Sequence, residues 1–89
     1  MDMPFLIAER RRVADEFRLA RACLAILRTQ LTDVQTCEAR QHLLAVIGET
    51  SAKSRKLGAK LLEVDAAVLE LRLHEIGRHA SREASRRVA

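Results

Sequence analysis

Four arginines near the C-terminus have the spacing that most directly suggests binding chemistry. Arg78, Arg82 and Arg86 recur every four residues, and Arg87 follows them. On a helix, this spacing places three guanidinium groups along one side, where they can bind a phosphate backbone with an affinity that falls as salt rises. Residues 78–89 contain four arginines and one glutamate, a net +3 of the chain's formal +4. Nucleic acid is therefore a candidate partner of this basic C-terminal extension, and a merely solubilising terminus is the alternative.

The cysteines and histidines do not predict a metal site. Cys37 and His42 are five residues apart, as are His74 and His79, whereas two ligands on one helical face need a spacing of three or four. We expect Cys37 and the other cysteine, Cys23, to be buried small apolar residues. No Ser-His-Asp, Cys-His or paired-carboxylate set stands out, and no Gly-rich phosphate loop is present. We therefore expect no catalytic residue, metal, cofactor, small-molecule substrate or enzymatic activity.

Residues 57–76 carry the strongest structural pattern, because their apolar side chains form two separate stripes on one helix. Stripe one consists of Leu57, Leu61, Val64, Val68 and Leu71. Stripe two consists of Leu62, Ala66, Leu69, Leu73 and Ile76. At about 100° per residue, the centres of the two stripes lie about 140° apart. Asp65 and Arg72 fall in the narrow gap between them. Such a helix has two sides to bury, and a short chain can lack a partner for one of them.

The first part of the chain predicts another long helix. Asp2 is a candidate N-cap, and Pro4 suits a first helical turn because its missing N–H would have no intrahelical partner there. A 4-3-4-3 apolar pattern, which we call the seam, follows; it consists of Leu6, Val13, Phe17, Ala20, Leu24, Leu27, Leu31 and Val34. Arg10 occupies the one slot in which an apolar residue is missing. This pattern is typical of coiled-coil-like packing, and its loss of phase predicts a break near residues 31–36.

Residues 48–56 leave two architectures open. They contain no large apolar residue, and Gly48 could cap one helix before Thr50 or Ser51 caps the next. The 4-3 spacing nevertheless continues through Thr50 and Ser54 into Leu57. The sequence therefore predicts an all-α fold that is either an elongated helical hairpin or a three-helix bundle, with residues 1–77 as a single helical domain.

Composition and length agree with a small helical protein. The 89 residues include one proline, three glycines and no tryptophan or tyrosine, so the core consists mainly of aliphatic residues. The N-terminal residues do not resemble a secretory signal, and no segment has the roughly 20 apolar residues of a membrane span. We expect a cytoplasmic protein that does not enter a membrane.

The excess of apolar helix surface predicts protein binding. We expect a non-enzymatic helical module of the adaptor, chaperone-like or inhibitor and regulator type, self-associating or bound to another protein. Stripe one is the better candidate for the chain's own core, because its spacing continues back to Leu43, whereas stripe two begins only at Leu62. The predicted partner-binding residues are the large side chains of stripe two, Leu62, Leu69, Leu73 and Ile76. The alternative is a nucleic-acid-binding regulator that uses the basic extension.

Overall fold

The protein is a hairpin of two long helices in a computed structural model, which describes the backbone of residues 2–88 and the side chains of residues 2–86. Helix α1 is Met3–Asp33 and helix α2 is Cys37–Val88. They run antiparallel, since Arg10 on α1 pairs with Asp65 on α2 and the ring of Phe17 lies beside Gly58. The all-α prediction is confirmed. The hairpin is the predicted alternative that fits, because two helices rather than three occupy the described part of the chain.

Capping residues mark the start of each helix, and the cap of α1 is the predicted one. The Asp2 side chain accepts a hydrogen bond of 3.0 Å from the backbone N–H of Phe5, and Pro4 lies in the first turn of α1. Val34 takes an extended conformation that ends α1. The hydroxyl of Thr36 then accepts a 3.2 Å hydrogen bond from the N–H of Ala39 and caps α2. The predicted break near residues 31–36 is confirmed.

Helix α2 continues without interruption through the segment that suggested a loop. Gly48 lies inside the helix with a negative φ, so it caps no helix end. Thr50 remains helical and its hydroxyl bonds the carbonyl of Val46 at 2.8 Å, four residues back. Ser54 is buried although it is polar. The small side chains of this segment therefore belong to the helix surface that meets α1, as the 4-3 spacing suggested.

The core is a single row of contacts between the two helices. All eight seam residues of α1 are buried or half-buried, and Val13 is fully inaccessible to solvent. All five residues of stripe one are also buried or half-buried, and Leu6 packs with Val64 and Val68 in one cluster. Stripe one is therefore the chain's own core, as its continuous spacing predicted.

The molecule is extended, because its two long helices lie side by side along one axis and α2 alone spans nearly the whole length. The chain measures 79 × 19 × 14 Å, and its radius of gyration is 21.7 Å. A compact globule of this length would have a radius of gyration of about 12 Å. Met3, at the start of α1, and Leu71 of α2 both pack against the cluster of Leu6, Val64 and Val68, and every side chain of residues 72–86 is exposed. We call residues 72–88 of α2 the overhang, since they extend past the first residue of α1.

Neither helix in the described part of the chain contains a stretch that is both long and apolar enough to cross a membrane.

Candidate functional site

The large side chains of stripe two lie in solvent along the outer side of α2. The exposed fractions are 72% for Leu62, 58% for Leu69, 59% for Leu73 and 64% for Ile76. Ala66, between them, is exposed too. The four large side chains occur every three to seven residues, so the helix presents them as one band. Helix α1 does not cover this band. The last two large residues of the band, Leu73 and Ile76, lie on the overhang.

A groove extends this apolar surface onto α1. Ile7 is 45% exposed and lines the groove together with Val68 and Leu69 of α2. The groove has a volume of about 540 Å³ and is open to solvent. It lies toward the end of the hairpin that is opposite the turn. The sequence pattern does not predict Ile7 as part of the site, because it lies one residue after the seam residue Leu6 and belongs to neither stripe. Only the pairing of the two helices places it beside Leu69.

Charged residues lie between stripe two and stripe one, and we call this side of stripe two, which borders the groove, its inner edge. Asp65 forms an ion pair with Arg10 across the two helices, and both side chains are about half exposed. Arg72, two turns after Asp65, lines the same groove. Arg10 is the residue that interrupts the apolar seam, and Asp65 lies in the gap between the stripes. The two apparent irregularities of the sequence are therefore one interhelical contact.

A second ionic contact marks the opposite side of the hairpin. The guanidinium of Arg12 donates a 2.5 Å hydrogen bond to the carboxylate of Glu9, which also lies 3.7 Å from the ammonium of Lys60 on α2. The hydrogen bond from Arg12, together with the positive charges of Arg12 and Lys60, lowers the pKa of Glu9 below its usual value. Glu9 in turn raises the pKa of Arg12. These side chains form a charged edge that contributes little to stability, because exposed ion pairs are weak.

Helix α1 has a smaller exposed apolar face of its own. Leu19 is 66% exposed, Ile26 is 59% exposed, and Cys23 lies exposed between them. The prediction that Cys23 and Cys37 are buried is wrong; both are exposed thiols, because Cys23 lies outside the seam and Cys37 begins α2 at the turn. Leu19 and Ile26 lie about 120–140° around α1 from the seam, on the side of Glu9.

The two exposed apolar faces point to opposite sides of the hairpin. Stripe two lies on the side of the Arg10–Asp65 pair, whereas Leu19 and Ile26 lie on the side of the Glu9–Lys60 pair. One partner helix cannot contact both faces at once. Stripe two is the larger of them, with four large side chains and the adjoining groove.

Residues 78–88 of the basic extension continue α2 as a helix. Arg78, Arg82 and Arg86 are exposed, and the side chain of Arg87 lies outside the described residues. Arg78 and Arg82 lie beside Glu75 and His79 along a shallow surface, and His79 lies 3.4 Å from Glu83. At four-residue spacing the arginines continue the side of α2 that carries stripe one further back. The face that packs on α1 thus becomes charged where α1 is no longer present.

The histidines and cysteines do not form a cluster. Among residues 2–86, no group of three or more His, Cys, Asp or Glu side chains is arranged to hold a metal ion.

Comparison of the chain with protein family models, curated proteins and solved structures gives no match.

Proposed function

We propose that the chain is a non-enzymatic protein-binding module whose binding surface is stripe two with its adjoining groove. The observation that carries this proposal is the exposure of Leu62, Leu69, Leu73 and Ile76 on one side of a helix whose other apolar side is already buried. Complete burial of such a side chain contributes about 1.5–3 kcal/mol. Contiguous apolar surface of this kind marks interaction sites in soluble proteins.

The partner of such a band is another amphipathic helix. Stripe two keeps a 4-3 spacing from Leu62 to Ile76, the pattern by which one helix packs side chains between those of another. Coiled-coil-like packing, both in the hairpin and with the partner, belongs to this proposal. Adaptor, chaperone-like and regulatory roles all use helix-on-helix binding, and the proposed cellular location remains the cytoplasm.

The test compares two exposed leucines on opposite faces. Leu69→Asp places a charge in the centre of stripe two, and Leu19→Asp places one on the exposed face of α1. Because both side chains are exposed, both variants keep their helicity in circular dichroism. In sedimentation and in capture of proteins from the native source, Leu69→Asp loses the assembly or partner that the wild type and Leu19→Asp keep.

Two outcomes contradict the proposal. The first is a wild-type chain that stays monomeric, binds no apolar dye, and captures the same proteins as Leu69→Asp or none at all. The second is a Leu69→Asp chain that unfolds, which would place stripe two in the intramolecular core.

The second candidate function is binding of nucleic acid by the basic extension. The specific observation is the exposed row of Arg78, Arg82 and Arg86 on a helix that projects beyond α1. Titration of DNA and RNA with the full chain and with a chain truncated after Gly77 tests it. Binding that weakens steeply with salt and disappears on truncation supports this function. Equal binding by both chains, or none, removes it.

A further inference from the structure

We infer that the occupant of stripe two is a second copy of this chain, whose α2 helix packs antiparallel to the first. This inference rests on the proposed function, since it identifies the partner that covers stripe two. Three observations carry it: the excess surface of the single chain, the fit of stripe two with itself, and the charges along its inner edge.

The surface area of the single chain is large enough to supply such an interface. The accessible surface is 7229 Å² for a chain of 10.0 kDa. A compact monomer of that mass exposes about 5,200 Å². The difference, about 2,000 Å², is more than twice the roughly 800 Å² that each partner contributes to a stable interface of ordinary size. A twofold dimer that buries stripe two in both copies removes the most apolar part of this excess.

Stripe two fits itself when two copies run antiparallel about a twofold axis near residues 67 and 68. Residues that face each other then have numbers with a nearly constant sum, and each contact occurs twice. Leu62 faces the partner's Leu73, and Ala66 faces the partner's Leu69. The large leucine thus packs over the small alanine, and Ile76 lies over the partner's Ala59. Every large residue of stripe two meets an apolar residue.

The charges along the inner edge favour the antiparallel direction. In this register Asp65 of one copy lies beside Arg72 of the other, and the symmetry repeats the pair. Arg72 has no carboxylate within ion-pair distance among the side chains of residues 2–86, so its charge is available for a partner. A parallel, in-register pair instead places Asp65 beside the partner's Glu70, so like charges face each other twice.

The outer edge of the antiparallel pair is less favourable. Glu63 approaches the partner's Glu70 there, which weakens the dimer by the small amount typical of exposed like charges on helices. Both directions therefore bring acidic residues together, and only the antiparallel one adds attractive Asp65–Arg72 contacts.

The first experiment inverts the charge of Arg72 and measures the dimer dissociation constant by sedimentation. Arg72→Glu places a carboxylate beside the partner's Asp65 at two symmetric positions, and we expect about tenfold weaker dimerisation, more so at low salt. Arg78→Glu makes the same change in net charge on another side of α2 and serves as the matched control. An equal effect of both variants, or none of Arg72→Glu, overturns the Asp65–Arg72 contact.

The second experiment determines the direction by disulfide cross-linking. In a Cys23→Ser, Cys37→Ser background, one chain carries Ala66→Cys and another carries Leu69→Cys. The antiparallel register predicts that oxidation of the mixture yields mainly the disulfide between the two different chains. Faster cross-linking within either chain type alone indicates the parallel arrangement and overturns the inference.

Failure of this inference is distinguishable from failure of the proposed function. A wild-type chain that stays monomeric at micromolar concentration overturns the second copy as occupant. The proposed function still stands if that monomer captures another protein and Leu69→Asp does not.

Discussion

Stripes one and two are made of similar residues on the same helix, yet only stripe one is covered within the chain. Val68 is 8% exposed, whereas its neighbour Leu69 is 58% exposed. Stripe one ends at Leu71, which packs against the same buried cluster as Met3 at the start of α1. Stripe two continues past that point to Ile76. The difference shows that periodicity gives the number of apolar faces on a helix, whereas the position of the neighbouring helix decides which of them is covered within the chain.

The largest effect that tests this comparison is expected from Val68→Asp. The substitution places a carboxylate among Leu6, Val64 and the rest of the buried apolar cluster. We expect a loss of at least about 3 kcal/mol in the free energy of unfolding. Thermal denaturation followed by circular dichroism measures this loss. The control is Leu69→Asp, which places the same charge at the next residue, in the exposed stripe two. Equal destabilisation by both variants would show that the two stripes are buried alike.

A smaller effect on stability is expected from replacing two glycines of α2 with alanine, and it should differ between the two positions. Gly48→Ala has nothing within 4 Å of the added Cβ, so the higher helix propensity of alanine should stabilise the hairpin by about 0.8–1 kcal/mol. Gly58→Ala places its Cβ 3.2 Å from the ring of Phe17, which must shift and reduces that gain. Chemical denaturation of both variants measures the difference. A greater gain at Gly58 would contradict the close packing of the helices at Phe17.

A weaker effect is expected where the sequence pattern is interrupted. Asp65→Asn removes the ionic contact with Arg10 but keeps the shape of the side chain. Because both groups are about half exposed, we expect a loss of only about 0.2–1 kcal/mol in the free energy of unfolding, diminishing as salt is added. Thermal unfolding at low and high ionic strength measures it. A loss that is independent of salt would indicate packing rather than charge.

The smallest effect on stability is expected from removing residues 78–89. Their described side chains are exposed, and the beginning of α1, at Met3, packs against the core no further along α2 than Leu71. Truncation after Gly77 should leave the unfolding midpoint of the hairpin within a few degrees of the full chain, with the helical signal reduced in proportion to the residues lost. A large fall in the midpoint would show that the overhang supports the core.

The sequence predicted the parts of the fold that depend on local chemistry and regular spacing. Asp2 and Pro4 predicted the start of α1, and the loss of phase after Val34 predicted the turn. The seam and stripe one predicted the core. The choice between hairpin and bundle stayed open because Gly48 and its polar neighbours resemble a loop, although they continue α2.

Other features of the site depend on how the helices align. Arg10 and Asp65 are 55 residues apart in the chain, and each looked like an isolated interruption until the helices were paired. Ile7 joins the candidate site for the same reason. The exposure of the cysteines was mispredicted because residue type alone suggests burial, while the position of Cys23 outside the seam decides the outcome.

The single turn of the hairpin also determines where the molecule opens. Contacts near residues 34–36 join residues close in sequence, whereas those at the other end close a much longer loop and cost more entropy to form. Backbone amides near Met3 and Leu71 should therefore exchange their hydrogens through local opening more readily than those near the turn. The groove and much of stripe two lie at that end. A partner that binds there only when the hairpin is closed would stabilise that end, by an amount that rises with its concentration relative to its dissociation constant.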